Sequence, residues 1–96
     1  MNKNEIIQKL QSVKPILKEK YDVTDIALFG SYSRGEATSD SDIDLLIHFT
    51  KPSADALFES FDLLQNTFKD ITVQIVSRKA IKPLYFQAIK KDLIYA

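Results

Sequence analysis

The chain contains no cysteine among its 96 residues. Neither a disulfide framework nor a thiolate metal site can therefore form, and the sequence suits a reducing compartment without requiring one. Its 13 basic and 13 acidic residues cancel to a formal net charge of zero. Because no excess of positive charge is present to follow a nucleic-acid backbone, a polynucleotide is not the favoured partner.

Long apolar runs are also missing. The opening residues, MNKNEIIQKL, lack the apolar core of a signal peptide, and no stretch reaches the roughly 18 residues that a membrane-spanning helix needs. No linker rich in glycine, proline or serine divides the chain. We therefore expect one small cytoplasmic domain over residues 1–96, in which nearly all apolar side chains are used in a single core.

Hydrophobic spacing divides the chain into alternating helices and strands. Apolar residues at helical spacing predict amphipathic helices, and short apolar runs that stop at glycine or polar residues predict buried strands. The order of these elements indicates the α/β (α+β) class, with a single small mixed sheet covered by helices. The predicted elements are a helix over 3–20, capped by Asn2 and Glu5 and kinked at Pro15; strands over 25–30, 41–49 and 70–77; a helix after Ser53 with Leu57, Phe58, Phe61, Leu64 and Phe68 on one face; and a last helix from Pro83 with Leu84, Ala88 and Ile89 on one side, followed by extended residues 93–96.

The segment GSYSRGEATSDSDID, residues 30–44, lies between the first two predicted strands. Alternate side chains of a strand share a face, so Asp42 and Asp44 project together with Leu46 and His48, and the two carboxylates lie about 7 Å apart. Like charges so close are costly unless a cation lies between them. Carboxylate oxygens suit Mg²⁺, which usually completes its coordination shell with waters and phosphates. The pair therefore predicts a metal site.

The start of the same segment predicts a phosphate site. Gly30 ends the preceding strand, and the backbone of residues 31–33 can turn into a short helix whose free N–H groups face the same side. Arg34 lies beside this turn and either reaches a phosphate oxygen or pairs with Glu36 at the surface. A metal and a phosphate at one strand edge are what phosphoryl or nucleotidyl transfer requires.

The segment also resembles two other known motifs, but in each case a residue that the motif requires is missing. GSYSRGE has the glycine spacing of a Walker loop, but Glu36 stands where the lysine belongs. Asp40, Asp42 and Asp44 imitate the start of an EF-hand, but Leu45 replaces its turn glycine and the closing glutamate is absent. Neither a P-loop nor a calcium loop is therefore supported.

The spacing of Gly30, Ser31, ten residues and then Asp42, Ile43 and Asp44 resembles the G-S-x(10)-D-x-D signature of the polymerase-β-like nucleotidyltransferase superfamily. Within it the chain most resembles the minimal nucleotidyltransferases, and the resemblance implies the polymerase-β-like nucleotidyltransferase fold. Proteins of this type are often encoded beside a HEPN-domain RNase, act as its antitoxin and in some cases transfer AMP from ATP to a tyrosine of that partner. The runs that carry the likeness are EKYDV, IALFGSYSRGEATSDSDIDLLI and KPLYFQAIKKDLIYA.

The resemblance implies a role for each residue of the motif. Asp42 and Asp44 would hold two Mg²⁺ ions and serve as the catalytic carboxylates, and Gly30 and Ser31 would bind the terminal phosphates of ATP. Arg34 is a further candidate for nucleotide binding because of its place beside the turn, and not because of the resemblance. The family's third carboxylate normally lies inside a V-D-L-V run, and the corresponding run here is VQIV.

Gln74 therefore stands where the third acid is expected. A glutamine supplies no charge to a metal and cannot accept a proton as a base, so chemistry could be slow or lost while nucleotide binding persists. Two hypotheses stay open. The first is an Mg²⁺-dependent enzyme that adenylylates a HEPN-type partner. The second is a catalytically degenerate transferase that neutralises such a partner by binding alone. Hetero-oligomeric or homo-oligomeric assembly is open in both cases, and polymerase or tRNA-tailing activity ranks last.

Overall fold

The computed structural model describes residues 1–96 and contains one four-stranded sheet with helices on both faces. The α/β class predicted from the sequence is confirmed. In chain order the elements are α1 (Lys3–Tyr21), β1 (Val23–Phe29), α2 (Ser31–Arg34), β2 (Ile43–Phe49), α3 (Ala54–Thr67), β3 (Val73–Ser77), α4 (Pro83–Ile89), a 3-10 helix (Lys90–Asp92) and β4 (Ile94–Tyr95).

The strands lie in the order β3-β2-β1-β4. β1 runs antiparallel to both β2 and β4, and β2 runs parallel to β3, so the sheet is mixed as expected. The register sets Asp44 of β2 between Phe29 of β1 and Gln74 of β3. The first residues of the central strand β2 therefore lie beside the last residue of β1 and the start of β3.

Each face of the sheet carries its own apolar cluster. The larger one joins α1 and α3 to side chains such as Ile26, Ile43 and Leu45. The smaller one lies on the opposite face, where Ile89 of α4 packs with Ala27, Phe29 and Leu46. Because successive strand residues point to opposite faces, Asp44 shares the α4 face with Leu46.

Helix α1 begins with a capping box. The Asn2 side chain accepts from the Glu5 amide, and the Glu5 carboxylate accepts from the Asn2 amide, each at about the ordinary hydrogen-bond distance. The helix continues through Pro15 to Tyr21, one residue beyond the predicted end, and Asp22 closes it in the left-handed conformation.

The bounds of all three predicted strands differ from the sequence-based prediction. β1 covers Val23–Phe29 instead of 25–30. β2 begins at Ile43, so Asp42 lies in the segment just before the strand. β3 begins at Val73 because residues 68–70 form a turn after α3. Asp70 therefore lies in that turn and not on the strand face that carries Gln74.

Two helix faces are also less buried than predicted. Leu57 and Phe58 of α3 are exposed and line a groove along the outer side of β3. Their exposure follows from the topology, because β3 is the edge strand and no further strand lies beyond it. On α4, Leu84 and Ala88 face solvent. Phe86 and Ile89 contact the sheet instead, and Leu84 lies about 200° around the helix from Phe86. No helix of the structure is both long and apolar enough to cross a membrane.

Candidate active site

The acidic pair lies at the start of β2. Ile43 and Leu45 are fully buried under α1 and α3, which turns the half-buried Asp44 side chain to the other face. Asp42 precedes the strand, is also half-buried, and lies near enough to act electrostatically on Asp44. The structure therefore brings the two predicted catalytic carboxylates together.

Gln74 completes this acidic end of the sheet. It lies opposite Asp44 in the parallel register, and its Nε2 donates a hydrogen bond of 2.8 Å to Oδ2 of Asp42. The residue at the expected third-carboxylate position thus does reach the pair, as a neutral donor instead of a charged acceptor.

Gly30 packs directly against this pair. Its backbone has φ 79° and ψ −157°, a region that is essentially restricted to glycine. A Cβ atom added at this position would overlap Oδ2 of Asp44. Both the conformation and the contact therefore require glycine, and they bring the main chain of the turn against the carboxylate.

The turn continues as α2, a single helical turn. The amide of Arg34 donates to the carbonyl of Gly30, and Gly35 ends the turn in the left-handed conformation. Tyr32 and Ser33 are buried, whereas Ser31 is half-buried at the first position. The first N–H groups of such a turn have no intrahelical acceptor, so they are available to a ligand on the side of Gly30.

Arg34 is engaged in two ion pairs. Its Nε donates to Glu36 and its Nη1 donates to Asp92, each at 3.1 Å. The hydrogen bonds to Glu36 and then Asp92 raise the pKa of the guanidinium above its ordinary value. The surface pairing with Glu36 considered from the sequence is therefore present, and Nη2 makes no hydrogen bond in the structure.

The electrostatics of the pair centre on Asp44. Burial raises the pKa of its carboxyl, the like charge of Asp42 raises it further, and the positive charge of Arg34 acts in the opposite direction. In the absence of a cation the site therefore holds a destabilised negative charge.

The donor set fits a divalent cation with an incomplete protein shell. No group of three histidine, cysteine, aspartate or glutamate residues comes together anywhere in the structure. Two carboxylates are nevertheless what Mg²⁺ commonly takes from a protein when waters and substrate phosphates supply the remaining ligands. Such an ion would relieve the uncompensated charge at Asp44.

Asp92 contacts the turn, although the sequence did not predict a role for it. Its carboxylate binds Arg34, and its backbone carbonyl accepts from the Ser33 hydroxyl. It lies 58 residues from Arg34 along the chain, and no motif spacing connects the two. Only the path of the C-terminal segment over the sheet brings them together.

A glycine turn packed against one of two neighbouring carboxylates, at one end of a mixed sheet, fits the class of enzymes that transfer nucleotidyl groups. A comparison with protein families agrees, since the model described as nucleotidyltransferase domain matches residues 10–96. The chain belongs to this family.

Similar proteins extend over almost the full length of the chain. A protein of Methanocaldococcus jannaschii, named as a candidate protein adenylyltransferase, is 46% identical over 94 residues, which is 96% of this chain and 95% of that protein. The protein adenylyltransferase MntA of Thermococcus cleftensis is 30% identical over 91 residues, 95% of this chain and 92% of that protein.

Solved structures share the fold. A structure described as a candidate minimal nucleotidyltransferase superposes with a TM-score of 0.81 at 24% identity, covering 98% of this chain and 95% of that chain. A toxin–antitoxin structure with AMP-PNP superposes with a TM-score of 0.69 at 26% identity, and the match covers 99% of this chain and 72% of that chain. A structure of a tri-AMPylated Shewanella oneidensis HEPN toxin in complex with MNT antitoxin superposes with a TM-score of 0.60 at 24% identity. The match covers 96% of this chain and 66% of that chain.

Proposed function

We propose that this nucleotidyltransferase transfers AMP from ATP to a hydroxyl group of a protein partner, in an Mg²⁺-dependent reaction. The partner we propose is a HEPN-domain RNase, for which the chain acts as the antitoxin in the cytoplasm. The observation that carries the proposal is the contact between the Gly30 turn and the Asp42–Asp44 pair, because it joins a phosphate-binding backbone to metal-binding carboxylates.

The residues of the turn would bind and orient the nucleotide. Gly30 lets the main chain approach without a side chain, and the N–H groups of residues 31–33, which have no acceptor within the turn, would donate to the phosphates. Arg34 adds positive charge next to Asp44, and its free Nη2 remains available to a phosphate oxygen. These contacts hold the α-phosphate where an acceptor can attack it in line.

Asp42 and Asp44 would hold the metal. When bound, Mg²⁺ supplies charge neutralisation at the phosphates. The acceptor oxygen forms a new bond to the α-phosphorus, the bond to the β-phosphate oxygen breaks, and pyrophosphate leaves with both electrons. The proton of the acceptor hydroxyl must leave without the help of Gln74, since an amide is not a base at neutral pH.

A protein acceptor is favoured over a nucleic acid. Two of the similar proteins are named for protein adenylyltransfer, and one similar structure holds an AMPylated HEPN toxin. The zero formal net charge of this chain gives no general attraction for a polynucleotide. A hetero-oligomer with the acceptor protein is therefore the assembly we propose.

Label transfer tests this proposal. ATP labelled at the α-phosphate is incubated with Mg²⁺, the protein and the proposed HEPN-domain partner, and the label on that partner is measured. We expect label with the wild type and none with Asp42→Asn, Asp44→Asn. Binding of the partner without any transfer of label, by a wild type that binds Mg²⁺ and ATP, would contradict the enzymatic proposal.

That outcome would support a second function, a binding-only antitoxin. One observation favours it: Gln74 donates to Asp42 where a third acid would add negative charge. Under this alternative, complex formation alone suppresses the RNase. The two functions are separated by RNase activity after the label assay, because a binding-only antitoxin inhibits without ATP and its effect is lost on dilution.

A further inference from the structure

The C-terminal segment holds the phosphate turn through one residue, Asp92. Two consecutive residues of α2 reach it: the Ser33 hydroxyl donates to its backbone carbonyl, and Arg34 Nη1 donates to its carboxylate at 3.1 Å. Ser33 is buried, and only 11% of the Asp92 side chain is exposed. The two contacts therefore attach the turn to a mostly buried side chain that is distant in sequence, although the Arg34 side chain itself is 41% exposed.

Asp92 is itself fixed on the sheet from both sides. Before it, Ile89 of α4 is buried with Ala27 and Phe29. After it, Ile94 pairs with Leu28 of β1. The segment that carries Asp92 is thus attached to β1, the strand that leads into Gly30, which gives the turn a reference point on the sheet.

The second carboxylate that pairs with Arg34 belongs to Glu36, and it differs from Asp92 in position and exposure. Glu36 lies two residues away, and 64% of its side chain is exposed. A local, solvent-exposed pair moves with the turn and cannot fix it relative to the sheet. Only Asp92 links Arg34 to a separate element.

We infer that Asp92 is a positioning residue, which fixes α2 and the direction of the Arg34 side chain beside Asp44. Without the Asp92 carboxylate, Arg34 keeps only its bond to Glu36, and the turn keeps only the Ser33 hydroxyl as its side-chain bond to Asp92. That this positioning serves nucleotide phosphates rests on the function proposed above. The attachment itself does not depend on that function.

The experiment compares two nearly isosteric changes on the same arginine. Asp92→Asn removes the charge of the distant partner, and Glu36→Gln removes the charge of the local one. Amide hydrogen exchange is followed at Arg34, Gly35 and Glu36, whose N–H groups donate within the turn. In parallel, calorimetry with Mg²⁺ and a non-hydrolysable ATP analogue gives the nucleotide Kd, and thermal unfolding gives Tm.

We expect Asp92→Asn to accelerate exchange in the turn by about two- to fivefold and to weaken nucleotide binding by a similar factor, with Tm nearly unchanged. Glu36→Gln should leave both quantities within experimental error. Asp92→Ala should reproduce Asp92→Asn, since neither can form the ion pair. Ser33→Ala combined with Asp92→Asn should accelerate exchange further, because both attachments are then lost.

Equal exchange in Asp92→Asn and Glu36→Gln would overturn the inference. A fall in Tm with uniform exchange along the chain would also overturn it, because Asp92 would then be a general stability residue. If the wild type fails to bind the ATP analogue while exchange still separates the two variants, the proposed function fails and the positioning of α2 by Asp92 stands.

Discussion

The side-chain amide of Gln74 donates a hydrogen bond of 2.8 Å to the carboxylate of Asp42. The same residue is the register partner of Asp44 across the parallel strands, so it lies beside the second acid of the pair as well. An amide donor reduces the negative charge that these acids present, whereas a carboxylate at this position would increase it. The strength of metal binding and the rate of transfer should therefore depend on the charge at residue 74.

Gln74→Asp is expected to raise the rate of label transfer by about tenfold or more, because it restores a charged oxygen ligand beside the pair. Gln74→Asn is the matched control, with the length of aspartate and the charge of glutamine. The measurement is the initial rate at saturating Mg²⁺ and ATP. Equal rates for Asp and Asn would show that the charge at this position does not limit the reaction.

Asp42→Asn and Asp44→Asn, singly and together, should remove Mg²⁺-dependent binding of ATP, since the two carboxylates are the only charged oxygen ligands the site offers. Titration calorimetry with and without EDTA measures the effect. Asp40→Asn is the control, because Asp40 lies in the same segment but is exposed. Unchanged binding by the double variant would disprove the metal site.

Glycine at position 30 should matter for the site, and glycine at position 35 only for the fold. Both have positive φ, so alanine at either position should cost about 1–3 kcal/mol of the free energy of unfolding. Only at Gly30 would the added Cβ overlap Asp44, whereas nothing lies within 4 Å of a Cβ at Gly35. Chemical denaturation and the Kd for Mg²⁺ and ATP separate the effects. Equal loss of binding in both variants would contradict this account.

Much of the site could be predicted from the sequence because its parts are close along the chain. Gly30 and the Asp42–Asp44 pair lie at the two ends of the segment that joins two adjacent strands, and strand alternation places Asp44 on the α4 face with Leu46. Alternation does not apply to Asp42, because it precedes β2. Gln74 was identified through the family resemblance, because its run VQIV matches the V-D-L-V run of the third carboxylate. Its hydrogen bond to Asp42 was not, since that contact depends on the register between β2 and β3.

Other features escaped prediction because they depend on how distant elements meet. Asp92 reaches Arg34 only after α4 and β4 have packed on the sheet, which no local pattern encodes. The exposure of Leu57 and Phe58 follows from the edge position of β3, and strand order is not readable from helical periodicity. Their helical spacing correctly predicted the helix, but whether another element covers these two side chains depends on the topology.

The carboxyl of Asp44 should contribute a loss of stability to the metal-free protein as the pH rises. Burial and the neighbouring Asp42 raise the pKa of its carboxyl above the usual value of about 3.9. The folded state then binds this proton more tightly than the unfolded state does. The resulting stabilisation is fully present below the unfolded pKa and is lost as the pH rises through the folded pKa.

Asp44→Asn removes this titration and should therefore increase the free energy of unfolding at pH 7 in EDTA, with a difference from the wild type that shrinks as the pH is lowered toward 4. Urea denaturation at several pH values measures it, with Asp40→Asn as the exposed control. Mg²⁺ should reverse the order at neutral pH, because an ion that binds the folded wild type stabilises it and finds one carboxylate fewer in the variant. A difference between wild type and variant that stays constant with pH would show that the charge on Asp44 is not what destabilises the metal-free site.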